Sequence, residues 1–223
     1  MNRGPTPLQA NYPVPEDFVV MARRWRPDAI EIMLGYVWQG FDTLLDEENF
    51  DLGKAEESLE RDISFLVCLK INDAMDGKPP YCLIHLPPEN ERRASAQAAP
   101  PTPDLGFVWM YNPRAIFPLE AKILPTDRKI EKYVKEIKGN FLTGRYASFS
   151  SEAVMLGYLL AGEAERAFEN ISSRLNCTLK PYLPYQERNH RFSMHIRNEN
   201  GTGSSRKDFM CHHMIIFFGL RMS

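Results

Sequence analysis

From Ile30 onward, apolar side chains return every three or four residues: Ile30, Met33, Leu34, Val37, Trp38, Phe41, Leu44 and Leu45. That spacing gathers them on one face of an α-helix. Pro27 suits the first turn, where its missing N–H would have had no helical partner anyway. Asp51 to Gly53 interrupts the pattern. A second helix is expected over Lys54 to Met75, with Leu59, Ile63, Leu66, Val67, Ile71 and Ala74 turned inward, and Gly77 to Pro80 stops it. The period then shortens. Tyr81 to Leu86 reads as a strand, followed by Leu105 to Tyr111 and Ala115 to Leu124 around the turn-like Asn112-Pro113-Arg114. Ile130, Tyr133, Val134 and Ile137 restore helical spacing, with Lys129, Lys132, Lys135 and Lys138 on the opposite side. After a glycine-punctuated loop from Gly139 to Ser148, Ser150 is read as the cap of a helix carrying Val154, Leu156, Leu159 and Leu160. Helical character continues to Leu175, and Lys180 to Pro184 breaks it. Arg191 to Arg197 and Phe209 to Phe218 form a closing hairpin.

Helices, strands, helices and strands in that order predict a mixed α/β fold: a central sheet, mostly antiparallel or mixed, flanked by helices. Residues 1–16 hold Pro5, Pro7, Pro13 and Pro15 and read as a flexible arm. The rest, 17–223, reads as one domain carrying a low-complexity loop over 87–103 (PPENERRASAQAAPPTP).

Composition adds limits. With 223 residues, 43% hydrophobic and 25% charged, the chain is long enough to bury a real core without staples. Uninterrupted apolar runs, Met214 to Phe218 among them, are far short of the roughly 18 residues of a membrane span. The start of the chain has no apolar signal core. Cys68, Cys82, Cys177 and Cys211 are widely spaced and suggest no disulfide framework. A reduced, cytoplasmic protein with no membrane partner is expected. The net charge of −2 conceals a contrast. Asp42 to Asp62 holds nine acidic residues against two basic, and Ala121 to Tyr146 holds seven basic against three acidic. A polyanion would avoid the first stretch and favour the second.

The chemistry concentrates at Asp104 and at Glu120-Ala121-Lys122. An acidic-x-Lys triplet means little on an exposed helix face, but here both charges interrupt an apolar strand. Residues two apart on a strand share a face, so Glu120 and Lys122 project together while Leu119, Ala121 and Ile123 pack on the other side. Such charges cost several kcal/mol to bury unless they are paired or bound to a metal. A normally paired hairpin brings Asp104 to the same point, giving two carboxylates suited to Mg²⁺ and an ammonium able to offset charge developing on phosphorus-bound oxygen.

Pro103-Asp104 followed by Glu120-Ala121-Lys122 resembles the PD-(D/E)xK nuclease superfamily, with its restriction-endonuclease-like core, over residues 54 to 165. The resemblance implies that Asp104, Glu120 and Lys122 are catalytic. Asp104, Glu120 and the Ala121 carbonyl would bind Mg²⁺, or Mn²⁺ in its place, and Lys122 would position the attacking water. Many such folds add a helix glutamate, and Glu57 and Glu60 both qualify. Lys129, Lys132, Lys135, Lys138, Arg145 and Tyr146 would face nucleic acid, DNA first. A protein partner in a larger complex is expected, and neighbouring segments look like those of bacterial defence or mobile-element proteins. The alternatives are a non-catalytic nuclease-fold subunit that binds a protein partner, and a structural α/β protein in which Glu120 simply pairs with Lys122.

No P-loop, dinucleotide fingerprint or EF-hand occurs. Cys211, His212, His213 and His195 match no zinc spacing, because adjacent strand residues face opposite ways. Ser193 and His195 share a strand face, but nothing marks Ser193 as a nucleophile.

Overall fold

A computed structural model describes residues 27–77, 79–89, 99–110, 112–147, 150–198 and 206–219. The proline-rich arm and residues 90–98 of the low-complexity loop lie outside the described residues.

The described elements are α1 (Pro27–Glu47), α2 (Glu56–Met75), β1 (Tyr81–His85), β2 (Leu105–Trp109), β3 (Asn112–Leu124), α3 (Glu131–Glu136), β4 (Glu152–Leu159), α4 (Ala164–Leu175), β5 (Lys180–Pro181), β6 (His190–Asn198) and β7 (Arg206–Phe217). The seven strands form one sheet in the order β1-β2-β3-β4-β7-β6-β5. The β3–β4 and β4–β7 pairs are parallel, and the other four are antiparallel. The fold is mixed α/β, with helices on both faces of a mixed sheet.

Each face has its own core. On one, α1 contributes Met33, Leu34, Val37 and Phe41, and α2 contributes Leu59, Ile63, Val67 and Ile71. These pack on Leu119, Ala121 and Ile123 of β3 and on Val154, Leu156 and Tyr158 of β4. On the other, α3 and α4 lay Tyr133, Ile137, Phe168 and Ile171 against Leu124, Met155, Phe209 and Ile215. Burying each large apolar side chain stabilises the fold by about 1.5–3 kcal/mol. Tyr133 packs close to the sheet because position 157 lacks a side chain: a Cβ on Gly157 would lie 2.8 Å from Leu124 Cδ1 and 3.4 Å from Tyr133 Cε2. The outer edge of β1 is closed by Asn72, whose amide donates to the Leu83 carbonyl (2.8 Å) and accepts from its N–H (3.0 Å). This occupies backbone groups that would otherwise invite another strand.

One expected element is corrected. The segment from Val154 to Leu159 is a strand, not a helix. It lies between two parallel neighbours and is buried on both sides, so its apolar run carries no alternation to distinguish it from a core helix. Ser150, expected to cap that helix, instead turns the chain into the strand, its hydroxyl donating to the Glu152 carbonyl (2.6 Å) and accepting from the Glu152 N–H (3.2 Å). The loop expected from Gly139 onward also begins later, because a π-helical turn over Ile137–Phe141 prolongs α3.

Candidate functional site

The site lies where β2 stops and β3 continues. Their pairing ends at Leu105 opposite Leu119, yet β3 runs on to Leu124. The amides of Ala121 and Ile123 therefore face no strand on that side, and carboxylates take them instead. Asp104 Oδ2 accepts from the Ala121 N–H at 2.8 Å, and Glu60 Oε2, reaching across from α2, accepts from the Ile123 N–H at 2.9 Å. Glu120 Oε2 accepts from the Asp104 N–H at 3.3 Å. Each carboxylate is thus held by backbone, which fixes its position more firmly than a side-chain partner would.

Lys122 lies at the focus. Its Nζ is 3.0 Å from Glu60 Oε1, 3.0 Å from Glu120 Oε1 and 3.5 Å from Asp104 Oδ2, and it also donates to the Ala121 carbonyl. The Glu120 side chain is only 6% exposed, whereas Glu60 keeps 18% and Asp104 22%, so the cluster reaches solvent through those two carboxylates. Burial alone would lower the Lys122 pKa, but Glu120, Asp104 and Glu60 together outweigh it and hold the ammonium charged. Burial, reinforced by Asp104 and only partly opposed by Lys122, drives Glu120 well above the ordinary carboxyl range. Glu60 is raised for the same leading reason. Fully ionised, three carboxylates around one ammonium leave two negative charges uncompensated. In that state the cluster would be short of positive charge by the amount one divalent cation carries, and burial opposes it by raising Glu120 and Glu60 towards their protonated forms.

Among the described residues, no group of three or more His, Cys, Asp or Glu side chains is arranged to hold a metal ion. Here the carboxylates are instead turned onto the Lys122 ammonium. Their chemistry still fits Mg²⁺ or Mn²⁺, since carboxylate and carbonyl oxygens are the donors a hard cation takes. Asp104, Glu120, Glu60 and the Ala121 carbonyl are the groups that would have to supply them, after the carboxylates turn away from Lys122.

The structure brings together Asp104, Glu120, Ala121, Lys122 and Glu60. Glu57 is exposed and does not join them. The four lysines of the α3 region are all exposed and differ in their surroundings. Lys129 is exposed, and Lys132 bridges α3 to α2 by pairing with Glu56 at 2.8 Å. Lys135 and Lys138 line a separate groove of about 460 Å³ with Glu131, Gly139 and Arg174. Arg145 is exposed. Tyr146 is buried, its hydroxyl donating to the Thr102 carbonyl at 3.3 Å and its ring packed edge-on against Phe141. Burial comes first among the causes that raise its pKa, and Glu120 and Glu136 add to it, which places Tyr146 and Glu136 within electrostatic reach of the cluster. The π-turn that follows Glu136 is the kind of helix irregularity that often accompanies functional sites, and sequence periodicity does not reveal it.

A second buried polar cluster, also missed as a unit, crosses the β6–β7 hairpin. His212 and His213 face opposite sides of the sheet, as alternation requires. On the α1 side, Trp38 Nε1 donates to His190 Nδ1 (3.4 Å), which leaves the His190 Nε2–H to donate to His212 Nδ1 (3.2 Å) and the His212 Nε2–H to donate to Glu152 Oε2 (3.0 Å). On the other side, His195 Nε2–H donates to Ser193 Oγ (2.7 Å) and Ser193 Oγ–H to His213 Nε2 (2.8 Å). His213 Nδ1–H then donates to Tyr133 Oη (3.0 Å), whose own O–H ends on the Met155 carbonyl (3.2 Å). Burial, helped by neighbouring histidines, pushes His190 down to about 2 and His213 to about 3.

In comparisons with known proteins, no family model, no curated protein and no solved structure matches this chain.

Proposed function

We propose that the protein hydrolyses phosphodiester bonds in nucleic acid, DNA first, at the Asp104–Glu120–Lys122 cluster, with Mg²⁺ or Mn²⁺ held by Asp104, Glu120, Glu60 and the Ala121 carbonyl. The observation that carries this reading is the convergence of three backbone-anchored carboxylates, two of them partly exposed, on one ammonium. A bound divalent cation supplies Lewis acidity at a phosphoryl oxygen. Lys122, held protonated, serves as a donor rather than a base. It orients the attacking water and offsets the charge that builds on the non-bridging oxygens as the water oxygen bonds to phosphorus, loses its proton to solvent, and the P–O ester bond breaks with the leaving oxygen taking a proton from solvent. Supporting the same reading, α2, β1, β2, β3, α3 and β4 follow the helix–three strands–helix–strand order of a restriction-endonuclease-like core, with β3 and β4 parallel.

Four free thiols suit a reducing compartment, and among the described residues no helix is long and apolar enough to cross a membrane. A cytoplasmic setting, in complex with a protein partner, goes with this proposal.

A second reading rests on one observation: Lys122 already touches all three carboxylates, so the cluster could serve as a staple in a non-catalytic subunit. A cleavage assay separates the two. Wild-type protein with Mg²⁺ or Mn²⁺ should cut DNA or RNA, and Asp104→Ala should not. Wild-type protein that cuts neither, alone or with its partner, would leave the staple reading.

A further inference from the structure

The connection from α1 into α2 leaves an apolar groove with acidic walls. Phe50 from the connection and Leu59, Phe65 and Leu66 from α2 line a groove of about 270 Å³. Phe65 is 50% exposed, and Leu69, one turn further along α2, is 47% exposed. The apolar surface therefore continues out of the groove along the helix. Glu48 and Asp51 line the groove as well, and both are exposed. The lysines close by are already engaged: Lys54 pairs with Asp62 at 2.8 Å, and Lys70 pairs with Glu47. Arg61, the other cation between Asp42 and Asp62, does not line the groove. Among the described residues neither Glu48 nor Asp51 forms an ion pair.

The end of α1 asks for the same kind of neighbour. A helix C-terminus carries the negative end of the macrodipole, and Lys, Arg or His in the last turn stabilises it. α1 has none there. It closes on Asp46 and Glu47 instead, and Glu48 follows directly. Three acidic side chains thus crowd the negative end of a helix beside an open apolar groove. Single exposed apolar residues are ordinary and need no partner, but here charge and apolar surface select one chemistry. An anion is repelled, whereas a cation carried on an apolar segment is drawn by charge and held by burial. A second copy of the chain offers no such segment among the described residues, because the lysines beside α3 share their helix with Tyr133, Val134 and Ile137, which are buried in its own core.

We propose that this groove docks a basic amphipathic helix of a partner protein. Its apolar side chains seat on Phe65, Leu66 and Leu69, and its Lys or Arg side chains reach Glu48, Asp51 and the end of α1. From Leu59 to Leu69 the apolar strip covers about 15 Å of helix. That length fits a partner helix of about three turns with anchors at i, i+3, i+4 and i+7. α2 also carries Glu60, so the partner sits on the helix that helps to build the carboxylate cluster, but the docking does not rest on the nuclease reading.

The probe is a short fluorescein-labelled helical peptide with leucines at those four positions and lysines on its other face. It is titrated against the whole chain and read by anisotropy, beside a twin with glutamates in place of the lysines. Wild type should bind the basic peptide and not the acidic twin, and added salt should weaken the binding. Phe65→Ala should weaken it about tenfold, while Phe65→Tyr, which keeps the ring, should bind like wild type. Glu48→Gln together with Asp51→Asn should also weaken it about tenfold and flatten the salt dependence. The asparagine keeps an oxygen for the Gly53 N–H that Asp51 Oδ1 accepts at 3.0 Å. All three positions reach solvent, so the variants should fold, and circular dichroism checks that they do. No binding of the basic peptide by wild type would overturn the proposal, as would equal binding of the two peptides or binding that these substitutions leave unchanged. So would self-association that Phe65→Ala abolishes, since a second copy would then hold the groove. Cleavage assays read the carboxylate cluster separately, so peptide binding without cleavage upholds the groove alone, and cleavage without peptide binding upholds the nuclease reading alone.

Discussion

Two polar clusters sit in the same sheet, and they solve burial in opposite ways. In the β6–β7 hairpin, imidazoles, a serine and a tyrosine pass hydrogen bonds along two chains that end on a carboxylate and a carbonyl, and burial keeps His190 and His213 neutral. At the end of β2, three carboxylates crowd a single ammonium, and burial works against their ionised forms. The first cluster has its donors matched to acceptors and lies deep. The second, when fully ionised, holds more negative than positive charge, with Asp104 and Glu60 partly exposed. A satisfied neutral network contributes to uniqueness of packing, whereas unbalanced charge in reach of solvent is an arrangement that a cation and a polyanionic substrate can complete.

The contrast breaks most sharply at Lys122. Replacing it with alanine should abolish Mg²⁺-dependent cleavage and, without divalent metal, destabilise the fold by about 3–5 kcal/mol, the usual cost of removing one partner from a buried ion pair. Mg²⁺ should recover much of that stability in thermal melts, because a cation would replace the missing charge. A variant as stable as wild type without metal would show that the carboxylates are not short of positive charge. Next in size, Glu60→Gln should lower cleavage or metal affinity by roughly 10–100-fold, in the range seen for groups that orient a metal site. Glu57→Gln, one turn earlier and exposed, should leave both unchanged.

Which glutamate joins the cluster was not legible in the sequence, since Glu57 and Glu60 flank the same apolar stripe and only the rotation of α2 over the end of β2 decides between them. Asp104, Glu120 and Lys122 were legible because strand alternation is strict and charges inside Ile116–Leu124 have no cheap explanation. α1 and α2 were legible for the complementary reason: one face of each is polar, so the period survives. β4 was not, since burial on both faces erased its period. The histidine chains escaped because they depend on cross-strand register, with Ser193 opposite Cys211 and Phe192 opposite His212, and on Trp38 and Tyr133 arriving from helices far away in sequence.

The two clusters should also respond to pH with opposite sign. His190 and His213 have native pKa values below the ordinary 6.5, so the unfolded chain binds more protons in acid. Their contribution is complete above about 6.5 and is lost as pH falls. Glu120 and Glu60 are raised above the ordinary 4.5, so the native state binds more protons there, and stability should fall as pH rises through their native values. Urea melts across this range, with and without Mg²⁺, should show Mg²⁺ removing the loss at higher pH and leaving the acid limb untouched. Mg²⁺ that shifted only the acid limb would place its binding elsewhere. Smaller still, Ser193→Ala should cost about 1–3 kcal/mol by stranding His195 and His213 without their shared hydroxyl, and should leave cleavage unchanged.

The smallest effect sharpens the boundary of the charged cluster. Lys132 reaches from α3 to Glu56 on α2, with 63% of its side chain exposed, so the pair itself should contribute no more than about 1 kcal/mol to stability. If the cluster is a resting staple, Lys132→Ala changes nothing further. If a phosphate backbone passes between α2 and α3 on its way to Lys122, the same substitution removes one counterion-releasing contact. The slope of log affinity against log salt should then fall by about 0.7 for a single strand, with melting temperature nearly unchanged. Anisotropy titrations of a labelled strand at several salt concentrations read that slope directly, and an unchanged slope would place the backbone path away from α3.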